Sequence, residues 1–141
     1  FLTRFSWSAK NRAVNPRKVY AVDTGMINAN SLSFSEDKGR LLENVVYLFL
    51  LKKNFDLSYF REQGECDFVV FEKGKCKAVI QVCQQLHSEN KDRETRGLLE
   101  AMDFFDLKTG LIITQRQSDI LRFGDKIIEL KPAHQYLMEE A

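Results

Sequence analysis

Apolar and polar positions change their spacing several times along the chain, and each change predicts an element. In residues 36–53, Leu42, Val45, Val46 and Phe49 recur at helical spacing, with Ser33 and Ser35 as candidate N-caps and Glu43 at the edge of the apolar stripe. Before it, KVYAVD at 18–23 reads as a short strand ended by Thr24-Gly25, where Asp23 serves as a turn cap. After it come a strand over 57–61 and a hairpin over 65–83. A polar loop from Gln84 to about Lys91 leads into a helix to about Asp106, carrying Leu98, Leu99, Met102 and Phe105 at intervals of three or four. GLIIT at 110–114 reads as a strand, and ILRF and KIIEL around Gly124-Asp125 as a terminal hairpin. Pro132 then opens a short C-terminal helix. This order predicts a single α/β domain over 1–141, with a mixed β-sheet and flanking helices.

The hairpin is the most informative stretch. Val69, Val70, Phe71, Val79, Ile80 and Val82 give it the character of buried strands, and Glu72-Lys73-Gly74 is expected to close it as a three-residue loop. That loop pairs Phe71 with Lys75, sets Asp67 opposite Val79 and Glu65 opposite Gln81, and puts Glu65, Asp67, Gln81 and Cys83 on one face. Polar groups at one end of an otherwise buried strand pair mark a candidate site.

Composition adds limits. With 44% hydrophobic and 29% charged residues the chain has the make-up of a globular domain, and no apolar run approaches the roughly 20 residues of a membrane span. A cytoplasmic protein without membrane partners is the expectation. The chain starts without Met, so a fragment of a longer protein is expected. Cys66, Cys76 and Cys83 have neither CxxC spacing nor an even count, and read as buried thiols. His87 and His134 lie in polar stretches and read as solvated.

The net charge of +1 hides an asymmetry, because residues 1–22 carry Arg4, Lys10, Arg12, Arg17 and Lys18 and no acid. Phe1, Phe5, Trp7 and Tyr20 are interleaved with these cations, a mixture that contacts phosphates and stacks on bases. The five cations are therefore candidate nucleic-acid contacts. The alternative is a solvated segment whose aromatics pack on the core.

Taken together, KVYAVDTGM, KGRLLENVVYLFL, ECDFVV and IQVC resemble the uncharacterised domain that follows the ATPase module in a large group of archaeal and bacterial AAA-type ATPases. The element order also resembles the PD-(D/E)XK superfamily, the restriction-endonuclease-like fold. In such a core, carboxylates on adjacent strands hold Mg²⁺, which polarises a phosphodiester, and a lysine two residues after the second carboxylate stabilises the developing charge. The resemblance implies Asp67 as first carboxylate and metal ligand, Gln81 and Cys83 at the positions of the second carboxylate and the lysine, and Glu43 as an outer acid. Gln81 is neutral and Cys83 carries no cation, so the motif is degenerate. The expected role is binding DNA or a protein partner without cleavage, with no cofactor assigned to this chain other than Mg²⁺ as a candidate at Asp67. An active metal-dependent nuclease would need shifted residues, with Glu65 as the missing acid and Lys77 or Arg93 as the cation. A third reading is a protein-interaction or dimerisation platform, with a homo-oligomer possible. No GxxxxGK[ST] occurs, so ATP belongs to an absent N-terminal ATPase module, itself an expected partner within the same polypeptide.

Overall fold

The computed structural model describes residues 1–22 and 34–140. Its elements are β1 (Leu2–Thr3), α1 (Ala9–Val14), β2 (Arg17–Lys18), α2 (Phe34–Lys52), β3 (Asp56–Arg61), β4 (Glu65–Glu72), β5 (Lys75–Val82), α3 (Lys91–Phe104), β6 (Thr109–Thr114), β7 (Asp119–Phe123), β8 (Lys126–Pro132) and α4 (Ala133–Glu139). The expected α/β architecture is present. Six strands form one mixed sheet in the order β3-β4-β5-β6-β8-β7, antiparallel at both ends and parallel where β6 meets β5 and β8. The parallel joint follows from α3, which crosses over between β5 and β6. Among the described residues no helix is long and apolar enough to cross a membrane.

Each sheet face has its own core. On one face α2 and α4 bury Val46, Tyr47, Leu50 and Tyr136 against Phe68, Val70, Ile80 and Val82. On the other, α3 buries Leu98, Ala101 and Met102 against Val69, Val79, Ile112 and Ile128. The best-buried line of α2 is Val46, Tyr47 and Leu50. Glu43 lies one turn before Val46 on that line, so it faces the sheet rather than the stripe's edge.

The N-terminal segment departs most from expectation. Among the described residues of the expected 18–23 strand only Lys18 pairs, next to Arg17 and antiparallel to β1. Among the described residues no strand lies beside Val19 to Val22, and Asn44 of α2 takes a strand's place by accepting from the Ala21 N–H and donating to its C=O, both at 2.8 Å. A six-residue helix, α1, breaks the basic segment and is capped by Ser8, which accepts from Asn11 N–H. The segment covers the outer edge of β3, with Arg4 bridging to Tyr59, Phe5 N–H donating to the Tyr59 carbonyl and Leu2 buried. Asp23, Thr24-Gly25 and Ser33 lie outside the described residues, and Ser35 falls inside α2 rather than before it.

The hairpin register differs from expectation in a way that decides the site. The turn is a two-residue Lys73-Gly74 loop with φ of 53° and 77°, the left-handed pair of a type I′ turn, and Glu72 pairs with Lys75. A one-residue change in loop length should reverse every side chain. A bulge undoes the reversal, because Phe71 pairs with Cys76 but Val70 with Ala78, leaving Lys77 unpaired. The ladder then runs to Phe68 opposite Ile80.

A second bulge lies between β3 and β4. Ser58 pairs with Val69 but Phe60 with Cys66, so Asp67 and Phe68 both face Tyr59. Two residues opposite one turn toward the same side, and Asp67 therefore swings to the α2 face beside Phe68. Cys66 packs in the α3 core. Gln81 and Cys83, in phase with Val79, also lie on the α3 side. The expected common face of Glu65, Asp67, Gln81 and Cys83 is thus split in two by the bulge.

Candidate functional site

The bulge interrupts the β4–β5 ladder at Asp67, and side chains replace the missing backbone bonds. The Asp67 N–H donates to Gln81 Oε1 at 2.9 Å, and the Val82 N–H donates to Asp67 Oδ2 at 2.9 Å. The other Asp67 oxygen points to the α2 face, where the site is built.

At its centre is Lys18. Its Nζ lies 3.0 Å from Glu43 Oε1, 2.8 Å from Glu65 Oε1 and 2.9 Å from Asp67 Oδ1. These acids come from α2 and β4, and Lys18 arrives from β2, which β1 anchors on the β3 edge. Tyr59 OH fixes the approach by donating to the Pro16 carbonyl at 2.6 Å. Tyr20, two residues beyond Lys18, donates its hydroxyl to Glu43 Oε1 at 2.6 Å and stacks on Tyr47 at 4.2 Å between centroids.

The electrostatics follow from three carboxylates facing one ammonium. Burial alone would lower the Lys18 pKa, but Asp67 and Glu43 more than offset it and hold the amine protonated well above its ordinary range. Burial first, and then the charge of Glu43, push the Asp67 carboxyl up to about 7 against the pull of Lys18 and the Val82 N–H. Asp67 therefore retains a proton well above the usual carboxylate range. Burial and Glu43 likewise raise the Tyr20 hydroxyl, so it stays a donor.

The α3 side of the same strands has different chemistry. Gln81 Nε2 donates to Glu94 Oε2 at 2.7 Å, so its amide is engaged at both ends. Glu94 is buried beneath the exposed Arg93, whose Nη2 lies 2.9 Å from Glu94 Oε1. Cys83 is buried, donates to the Gln85 carbonyl and receives a hydrogen bond from Asn90 Nδ2. Burial and nearby Glu94 push its thiol up to about 11. Helix α3 approaches this closely because Gly97 lies on the Glu65 backbone, where a Cβ would be 2.1 Å from the carbonyl oxygen. A cleft of about 500 Å³ between α2 and α3 brings Arg40, Glu43, Cys83, His87, Arg93 and Glu94 to its walls.

Of the site residues expected from sequence, Glu43, Glu65 and Asp67 come together on Lys18, whereas Gln81 and Cys83 lie on the α3 side, Gln81 bonded to the Asp67 backbone N–H and Cys83 sharing a cleft with Glu43. Lys77 sits at the bulge near the turn, 4.6 Å over the Phe55 ring, and is too far along the strand to replace a catalytic lysine. Arg93 neutralises Glu94 instead. The cation that reaches the acids is Lys18, which sequence reasoning groups with the phosphate contacts. The other four cations are dispersed: Arg4 and Arg12 donate to the carbonyls of Arg61 and Ser6, and Lys10 and Arg17 are exposed. Phe5 and Tyr20 pack on the domain, while Phe1 and Trp7 face solvent. The position between the three carboxylates is held by the Lys18 ammonium, which a divalent ion would have to displace. Sequence reasoning also misses Asn44, Tyr20 and Glu94 as site-building residues. The spacing of Lys18 and Tyr20, two apart in an extended stretch, is the signal that both turn the same way.

No protein-family model matches the chain, and no solved structure does. The chain is similar to the uncharacterised protein MJ1544 of Methanocaldococcus jannaschii, with 41% identity over 108 residues, covering 73% of this chain and 23% of that protein. The chain therefore spans about a quarter of the length of the curated relative it matches.

Proposed function

We propose that this chain is a nuclease-like, restriction-endonuclease-like domain of the kind that forms the C-terminal part of AAA-type ATPases, and that it binds a partner without cutting nucleic acid. One observation carries the reading: the Lys18 ammonium stands within 3.0 Å of Glu43, Glu65 and Asp67. A nuclease of this type needs a hard divalent ion between its carboxylates and a lysine beside the second one. Here the ion's place is held by an internal cation, and Gln81 and Cys83 are turned to the α3 face. The match to a fraction of a longer relative supports a module that works within a larger polypeptide.

Five apolar side chains of the N-terminal segment, Phe1, Trp7, Val14, Val19 and Val22, are each more than 70% exposed, which favours a protein partner. The ATPase module of the same polypeptide is the first candidate. DNA is the second reading, carried by exposed Lys10, Arg12 and Arg17. The test combines plasmid incubation in Mg²⁺ or Mn²⁺ with DNA binding across a salt series. Intact plasmid and no salt-dependent binding are expected. Nicking that vanishes in Asp67→Ala would establish a nuclease, and affinity falling steeply with salt would establish DNA as the partner.

A further inference from the structure

The stretch from Pro16 to Val22 is attached to the domain in an unusual way. Its backbone pairs with a strand only at Arg17 and Lys18. Val19 and Val22 point outward, 74% and 85% exposed, so they do not fasten it. What fastens it is a row of side-chain contacts: Tyr59 to the Pro16 carbonyl, Lys18 to three carboxylates, Tyr20 to Glu43 and Tyr47, and Asn44 to both polar groups of Ala21. All the charge in this row meets at one ammonium.

We infer that Pro16–Val22 is an electrostatic latch, a strap held closed by Lys18, whose opening uncovers Glu43, Glu65 and Asp67 as a unit. The geometry gives the strap two states. Closed, the ammonium balances part of the charge of three acids drawn from α2 and β4. To open, the strap must, among the described residues, break β2, its polar tethers and the packing of Tyr20 on Tyr47 and Phe68, while Val19 and Val22 add nothing to either core. Among the described residues, the charged and titratable groups that face Lys18 are Glu43 from α2, Glu65 and Asp67 from β4, Tyr59 from β3, whose ring centroid lies 5.6 Å from the ammonium, and Tyr20 from the strap itself. Segments whose stability rests on a few polar contacts open locally without global unfolding. This inference does not depend on what the domain binds.

The test is amide hydrogen exchange resolved at single residues. The Ala21 N–H, bonded to Asn44, reports the strap, and the Phe68 and Ile80 amides report the sheet. Lys18→Met removes the charge while keeping an unbranched stem, and should speed exchange at Ala21 by about tenfold or more with Phe68 and Ile80 unchanged. Glu43→Gln, which removes one acceptor charge at the rim, should give a smaller acceleration at the same amide and covers the case in which Lys18→Met does not fold. Unchanged exchange at Ala21 in the folded variants would mean that Tyr20 stacking and Asn44 hold the strap, and would overturn the latch. Equal acceleration at all three amides would overturn it too, by making Lys18 part of the global fold.

Discussion

The two faces of the β4–β5 hairpin solve the same problem, polar groups at the end of buried strands, in opposite ways. On the α3 face Gln81, Glu94, Asn90 and Cys83 form a hydrogen-bonded set in which a helix is pressed onto the sheet backbone at Gly97. On the α2 face, three carboxylates are gathered around a cation carried in by a strap with little backbone pairing. The first arrangement is held by close backbone packing and by hydrogen bonds around a single carboxylate, Glu94, which Arg93 pairs from outside. The second is held by charge, which a change of pH or salt affects directly. A single bulged residue, Asp67, separates the two by turning its carboxylate away from Gln81. Residues that pattern alone would assign to one site therefore serve two sites with different physics.

The sharpest way to break this comparison is at the packed face. Gly97→Ala places a methyl group 2.1 Å from the Glu65 carbonyl oxygen, and backbone on both sides has no flexible end to yield. The expected loss is about 4 kcal/mol, read from urea midpoints. A midpoint close to the parent's would mean that α3 is not seated by backbone contact.

Gln81→Glu comes next. On pattern grounds it restores a second metal carboxylate. In the structure it replaces a donor to Glu94, 2.7 Å away, with a second acid in a buried place. We expect a loss of about 3 kcal/mol at pH 8. Most of it should return by pH 5, because one of the two acids then keeps a proton and bridges the pair. Calorimetry should find no gain in Mn²⁺ affinity, and a clear gain would reunite the two faces into one site.

The charged face is sharpened by pH. The Asp67 carboxyl is raised from 3.8 to about 7, so the folded state retains a proton that the unfolded chain has lost. The stability from that proton is fully present below about pH 4 and is lost as pH rises through about 7. Relative to Asp67→Asn, the parent should therefore lose about 2 kcal/mol between pH 4 and 7, less than the full shift implies because the titration of Asp67 is coupled to its charged neighbours. Parallel stability curves for the two proteins would show that Asp67 titrates as an ordinary acid. The smallest effect is expected from Tyr20→Phe, which removes the 2.6 Å bond to Glu43 and keeps the stack on Tyr47, at about 1 kcal/mol in thermal or urea melts.

Much of the fold is legible in the residues themselves. The spacing of Leu98 and Met102 marks α3, the β-branched runs mark β4, β5 and β6, and Gly124 marks the terminal turn. The hairpin turn is less legible, because Glu72-Lys73-Gly74 suits a loop of two residues as well as three, and the Lys77 bulge that restores phase leaves no mark in a period-2 pattern. The short α1 buries no residue and so leaves no apolar stripe to read, and the Asn44 clamp on Ala21 depends on a partner 23 residues away.

The candidate site divides along the same line. Sequence alone determined that Glu43, Glu65 and Asp67 sit on a helix and a strand near one end of an apolar surface, and that residues 1–22 are basic, since residue type and local periodicity carry that information. Only the tertiary structure decided that Asp67 leaves Gln81 and Cys83 for the α2 face, and that Lys18, read as a phosphate contact, turns inward to three acids. The physical reason is that a bulge shifts side-chain direction without changing composition. Likewise, the charge of a lysine fixes what it attracts but not what lies within reach, and reach is set by the packing on β3 of β1 and β2, which are far from the acids in sequence.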